Sequence, residues 1–159
     1  RVDVPPTPRG ANPDGQVTAT PWDFFNAINA ELNFAVDLAA SEHNTKCERF
    51  LTRYDDSLSV DWALLAPERW LWLNPPFADL GPWSSKCALE KERGAKVALL
   101  VPASVDSGWY RANIENRAEV RFLSPRLKFI GHNTPYPKPM MLALFAQNRP
   151  ACCWQWRWK

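Results

Sequence analysis

The sequence predicts an α/β protein built on an open, mostly parallel sheet with helices on both faces. Three observations lead there. Apolar runs of strand length, such as Trp70-Leu71-Trp72-Leu73 and residues 96–101, alternate with stretches of helical spacing. Strand, helix, strand in succession implies parallel pairing, because parallel neighbours need a long crossover connection. Finally, Asp37 and Asn74-Pro75-Pro76-Phe77, the residues least expected on structural grounds, each lie where a predicted strand stops. In open α/β sheets that edge, beyond the carboxyl ends of the strands, is where ligands bind.

Residues 1–18 are rich in Pro, Gly, Asn and Asp, so they are expected to form an irregular arm ahead of a single domain spanning 19–159. From Pro21 the pattern changes: Phe24, Phe25, Ile28 and Leu32 fall on one helical face, with Thr20 able to cap and Pro21 suited to the first turn. Residues 34–38 form a short apolar run, broken only by Asp37, and read as a buried strand. The strands at 70–73 and 96–101 flank a helix at 83–93. A further helix at 107–116 separates 96–101 from a strand at 119–123, and 140–145 supplies another. Trp154, Trp156 and Trp158 alternate with polar residues, which predicts a strand with its apolar side toward the core; a base-stacking platform is the alternative.

With 159 residues, 46% of them hydrophobic, the chain can bury one core without disulfide or metal staples. No apolar run approaches the roughly 20 residues of a membrane span, and the first six residues have no signal-peptide character. The expectation is a cytoplasmic protein with no membrane partner, existing as a monomer or weak dimer. Cys47, Cys87, Cys152 and Cys153 show no C-x-x-C spacing and lie apart from His43 and His132, so free thiols and no metal site are expected. The net charge of +2 hides an uneven distribution. Residues 1–110 hold 10 Lys/Arg against 15 Asp/Glu, a balance of −5, whereas residues 111–159 hold 9 against 2, a balance of +7. That basic third suits a polyanion if its cations share a face; a merely solvated surface is the other reading.

The tetrapeptide Asn74-Pro75-Pro76-Phe77 carries the most chemistry. Two prolines fix two φ angles and remove two amide donors, so the loop presents acceptors in a fixed arrangement. The exocyclic amine of adenine is a pair of donors. The Asn74 side-chain oxygen and the Pro75 carbonyl can accept both hydrogens and turn the nitrogen lone pair outward, while Phe77 offers a face for a base taken out of the stack. A simple Asn-Pro turn with Phe77 in the core is the structural alternative.

Several ordered segments resemble the phage-type DNA N6-adenine methyltransferases, whose catalytic loop has the form Asp/Asn-Pro-Pro-Tyr/Phe. They are Thr20-Pro21-Trp22-Asp23, Val36-Asp37-Leu38-Ala39-Ala40-Ser41, Thr52-Arg53-Tyr54-Asp55-Asp56-Ser57-Leu58 with Asp61-Trp62, and Leu73-Asn74-Pro75-Pro76-Phe77. Leu100-Val101-Pro102-Ala103, Trp109-Tyr110 and Pro125-Arg126-Leu127-Lys128-Phe129 continue the likeness. The resemblance implies a Rossmann-like, S-adenosylmethionine-dependent methyltransferase fold, phage or prophage origin, and a catalytic role for Asn74, Pro75, Pro76 and Phe77. It also implies that Asp37, Ala39, Ala40 and Ser41 hold the methionine part of S-adenosylmethionine, that Thr20, Pro21 and Trp22 close over the cofactor carboxylate, and that Asp55, Asp56 and Asn74 contribute to the cofactor site. A carboxylate suits the cofactor's α-ammonium. Ala-Ala-Ser stands where most of the wider superfamily has a glycine-rich turn. Asp37 as a helix N-cap, Thr20 as a plain cap and Asp55-Asp56-Ser57 as an exposed turn are the corresponding structural readings.

In the basic third, Arg126, Lys128, Tyr136 and Lys138 mix cations with an aromatic ring on a proline-rich loop, which suits contact with DNA; a long hairpin connection would look the same. A C5-cytosine enzyme would need a nucleophilic Cys, usually after proline, and none of the four follows a proline. N4-cytosine, RNA or protein methylation, and an inactive DNA-binding relative, remain open at this point. No G-x-G-x-x-G occurs to support NAD binding.

Overall fold

Trp70 and Trp72 point to one side of a central strand and Leu71 and Leu73 to the other, and this two-residue alternation divides the interior into two cores. The structure, a computed structural model, describes residues 19–159; the arm expected at 1–18 lies outside the described residues. In chain order the elements are α1 (Trp22–Leu32), β1 (Val36–Asp37), β2 (Arg49–Phe50), α2 (Trp62–Leu65), β3 (Trp70–Leu73), α3 (Gly81–Glu92), β4 (Lys96–Pro102), α4 (Gly108–Asn113), β5 (Glu119–Ser124), β6 (Met140–Phe145) and β7 (Cys152–Arg157). Two 3-10 turns, Arg53–Asp55 and Ser57–Ser59, lie between β2 and α2.

The strands form one seven-stranded sheet in the order β2-β1-β3-β4-β6-β5-β7. Six run the same way, and β6 is antiparallel to both of its neighbours. The mostly parallel sheet is therefore as the sequence predicts. Helix α1 covers one face, where Phe24, Phe25 and Ile28 meet Trp72, Leu100 and Leu142. On the other face Trp62 of α2, Cys87 of α3 and Tyr110 of α4 meet Leu71, Leu99 and Met141.

Helix α1 begins one residue later than its spacing suggests. Pro21 is the N-cap, with φ −65° and extended ψ, and no side chain caps the helix. Thr20, expected as a cap, is buried and turned toward β3 instead. Asn33 ends the helix in the left-handed conformation, φ 55°, and its N–H donates to the Asn29 carbonyl.

The short helix α2 has no local capping bond at Asp61. Its first amides donate instead to Glu90 of α3, Trp62 N at 3.1 Å and Ala63 N at 3.4 Å. Glu90 is fully buried and also pairs with Lys86 at 2.9 Å.

The strand β7 is an edge strand, parallel to β5. The core-facing expectation for Trp154, Trp156 and Trp158 holds in part. Trp156 and Trp158 pack on Phe24 at centroid distances of 6.0 and 5.2 Å, whereas Trp154 stays 41% exposed over the Arg121 guanidinium. Arg121 itself is buried and held by Glu31 and Glu119 at 2.7 Å each, and Arg149 joins the same Glu119. These two cations, counted in the basic third, are thus occupied in holding α1, β5 and the turn after β6 together.

Candidate active site

In sequence order the chain passes from β1 outward to β2, then returns with β3 on the other side of β1. That reversal opens a crevice at the carboxyl ends of β1 and β3. Its walls are Ala19, Thr20, Asp37, Ala39, Asn44, Lys46, Trp72 and Asn74. Thr20, Asp37 and Asn74, expected at the site from separate parts of the sequence, come together here.

Asn74 ends β3 and is 4% exposed. Its Nδ2 donates to Thr20 Oγ1 at 2.9 Å, across 54 residues of sequence. This bond sets the orientation of the amide: the nitrogen faces Thr20, so the acceptor oxygen forms the other prong. Pro75 is buried and Pro76 exposed, so the loop leaves the sheet in a single step. Phe77 then packs edge to face on Phe129, at 6.3 Å, and Tyr136, at 6.0 Å; those two meet each other at 5.3 Å.

Phe129 and Tyr136 belong to the connection between β5 and β6, residues 125–139. Because β6 is reversed, this connection both leaves and re-enters the sheet at the rim that carries Asp37 and Asn74. Leu127 and Phe129 point inward, while Arg126, Lys128 and Ile130 are exposed. The amide of Tyr136 donates to the Leu127 carbonyl, Arg126 Nη1 to the Pro137 carbonyl, and Ile130 N to the Ala19 carbonyl. The loop is therefore tied both to itself and to the segment beside Thr20. Lys138 is exposed on the same loop.

Asp37 is 3% exposed. No helix follows β1, so the N-cap reading of this residue fails; its oxygens accept the Ala39 amide at 3.2 Å and the Lys46 amide at 3.0 Å. Burial pushes its pKa up from 3.8 to about 6, against the lowering effect of the Lys46 and Ala39 amides and of the Lys46 charge. The neighbouring Cys47 thiol is pushed up to about 12 by burial and then by Asp37, so it is neutral and unreactive.

The Ala39-Ala40-Ser41 turn divides its labour. Ala39 lines the crevice. The Ala40 amide donates to the Leu51 carbonyl, and the Ser41 amide to Asn44 Oδ1 at 2.8 Å, so both hold the turn in shape. Pro21 and Trp22 begin α1 beside Thr20. Asp55 and Asp56 lie beyond β2 and are exposed, outside the crevice walls. There Asp55 Oδ2 accepts the Thr52 amide at 2.7 Å in a capping box, and Asp56 Oδ2 accepts the Ser59 hydroxyl at 2.6 Å.

Sequence reasoning missed Asn44, Lys46 and Phe129. Asn44 and Lys46 sit in a polar turn of ordinary composition, and Phe129 figures only as the last residue of the segment 125–129 that resembles the family. The signal for Lys46 is non-local: its Nζ lies 4.1 Å from the centre of the Trp22 ring, 24 positions earlier in the chain. Among the described residues no helix is long and apolar enough to cross a membrane, and no group of three His, Cys, Asp or Glu could hold a metal ion.

The chain is 30% identical over 146 residues to a DNA N-6-adenine-methyltransferase of Haemophilus phage HP1, covering 86% of this chain and 82% of that protein. It is 28% identical over 94 residues to a protein of the same name from Escherichia phage T1, covering 59% of this chain and only 38% of that longer protein. Among solved structures, a predicted O-methyltransferase from Agrobacterium tumefaciens aligns with a TM-score of 0.41 and 12% identity over 82% of this chain and 85% of that one. Residues 10–145, which include every wall of the crevice and the loop after β5, match the family model described as DNA N-6-adenine-methyltransferase (Dam), and the chain belongs to that family.

Proposed function

We propose that the protein transfers a methyl group from S-adenosylmethionine to N6 of adenine in DNA. The observation that carries this reading is the meeting, at the switch point of the sheet, of the Asn74-Pro75-Pro76 acceptor loop with a buried carboxylate and an aromatic cluster. The donor set fits the cofactor. Asp37 is ionised at neutral pH and suits an α-ammonium, and Ala39 is small enough for close approach. When bound, S-adenosylmethionine supplies a methyl group on a sulfonium sulfur, which an amine lone pair can displace.

The protein's part is placement and electrostatics. Asn74 Oδ1 and the Pro75 carbonyl accept the two N6 hydrogens, which points the nitrogen lone pair away from the loop. As positive charge develops on that nitrogen, the same two oxygens stabilise it without reorganising, and the proton it sheds passes to solvent. Phe77, with Phe129 and Tyr136 behind it, offers an apolar wall for a base extracted from the duplex. Arg126, Lys128 and Lys138, exposed along the same rim, suit the phosphates on either side.

The decisive experiment is incubation with unmethylated DNA and radiolabelled S-adenosylmethionine, followed by nucleoside analysis. Label in N6-methyladenine is expected; label in N4-methylcytosine would keep the loop chemistry and change the base. Asn74→Ala should lower turnover by at least about a hundredfold, the loss typical of removing one transition-state partner, with cofactor affinity retained. Asn74→Asp should retain part of the activity, because a carboxylate keeps the acceptor and the Thr20 hydroxyl can donate to it. Full turnover in Asn74→Ala would sink the assigned role.

A further inference from the structure

The crevice holds two opposite charges that do not form an ion pair with each other. Lys46 lines the same wall as Asp37 and is tied to it through its backbone, whose N–H donates to Asp37 Oδ2 at 3.0 Å. Its side chain takes another path. The ammonium rests 4.1 Å from the centre of the Trp22 ring at the start of α1. Among the described residues the ion pairs engage Lys86, Arg93, Arg121, Arg149 and Lys159, and Lys46 is in none of them.

A half-buried ammonium with an aromatic face on one side still has hydrogens to donate. Burial draws its pKa down, and only the field of Asp37 opposes that. Such a group gains by meeting an anion. The crevice that Lys46 helps to line is narrow and also walled by Thr20, Asn44 and Asn74, which suits a small anionic group attached to something larger.

Building on the function proposed above, we infer that Lys46 binds the α-carboxylate of the cofactor's methionine part while Asp37 binds its α-ammonium, with Trp22 holding the Lys46 ammonium in position. The two side chains then read the amino-acid end of the cofactor as a zwitterion. The turn 38–46 sets their spacing: the Asp37 bonds to the Ala39 and Lys46 amides and the Ser41 bond to Asn44 close it on itself. A cofactor carrying both charges gains from both residues, whereas a ligand lacking the amino-acid end gains from neither. A DNA phosphate is the competing partner for an ammonium so placed, but Lys46 lies inside the crevice rather than on the exposed loop with Arg126 and Lys128.

The test is calorimetric titration of the full chain with S-adenosylhomocysteine, which has the amino-acid end, and with 5′-methylthioadenosine, which lacks it. Lys46→Met should weaken S-adenosylhomocysteine by tenfold to about a hundredfold, the range for losing one hydrogen bond to a charged group. It should leave 5′-methylthioadenosine unchanged, which also shows that the crevice is intact. Lys46→Arg should recover most of the loss, and Lys46→Gln should behave as Lys46→Met does. Equal affinity of wild type and Lys46→Met for S-adenosylhomocysteine overturns the inference, as does equal weakening of both ligands. Unchanged cofactor affinity with weakened DNA binding overturns it in favour of a phosphate. Failure of the wild-type protein to bind S-adenosylhomocysteine at all would instead strike at the methyltransferase reading itself.

Discussion

Asp37 pulls stability and binding in opposite directions. Its folded pKa of about 6 lies above the unfolded value near 3.9, so the buried carboxylate costs stability at neutral pH. That stability is regained as pH falls through 6 and is fully present below about 4. In the proposed role, cofactor binding runs the other way, because only the ionised form attracts an ammonium. The charged and titratable groups facing Asp37 are Lys46 and Cys47, and Cys47 stays a neutral thiol over this range. Affinity for S-adenosylhomocysteine is expected to be flat from pH 7 to 8 and to fall by about tenfold per pH unit below 6, as protons compete for the carboxylate. Asp37→Asn should flatten the profile. Titration calorimetry between pH 5 and 8 checks this, and a flat wild-type profile would remove Asp37 from the cofactor contact. Asp37 was legible as an acid at the end of a short apolar strand. Lys46 was not, since a single lysine in a polar turn looks solvated until Trp22 is seen across from it.

At the scale of elements, the sequence revealed those that carry their own pattern. The runs that became β3, β4 and β6 are apolar apart from Lys96 at the start of β4, and they sit at the centre of the sheet, where both faces are covered. The strand β2 is two residues long and begins with an exposed arginine, too little for any period to show. Helix α2, four residues long, is invisible for a different reason: its capping group is Glu90, 28 residues after Trp62. Burial alone would raise the Glu90 pKa, but Lys86 and the Trp62 and Ala63 amides outweigh it and hold it below its ordinary value. Its contribution to stability is therefore present above the unfolded pKa and fades as pH falls through the lower folded one. Glu90→Gln keeps an acceptor but leaves Lys86 without its partner, and is expected to destabilise the fold by about 3 kcal/mol at pH 7, the cost of breaking a buried pair. Urea denaturation at pH 7 and pH 4 reads this; the gap between wild type and variant should narrow at the lower pH. A gap of the same size at both pH values would show that packing rather than charge holds α2.

Over the whole molecule, charge has to be counted by place. The basic third suggested up to nine cations for a polyanion, but Arg121 and Arg149 are committed to Glu31 and Glu119 within the fold. Arg126, Lys128 and Lys138 remain exposed on the active-site rim. Replacing each of these three with glutamine should lower the slope of log affinity against log salt by about 1, measured on DNA of one fixed sequence. Arg121→Gln should instead destabilise the fold and leave that slope unchanged. A triple rim variant with the wild-type salt slope would show that DNA approaches from another side. The rim could be expected from the sequence, because strand ends and the chemistry-bearing residues coincide. The aromatic cluster of Phe77, Phe129 and Tyr136 could not, because it depends on how a 15-residue connection folds back.

The one reversed strand governs how this protein can change. Since β5 and β6 are paired neighbours, the segment joining them is a hairpin tip whose two ends the sheet already fixes. Doubling the length of such a tip costs only about 0.6 kcal/mol in closure entropy. The stretch between Phe129 and Tyr136 can therefore lengthen at little cost to the fold, while those two rings keep their contact and the strands leading to Asp37 and Asn74 keep their register.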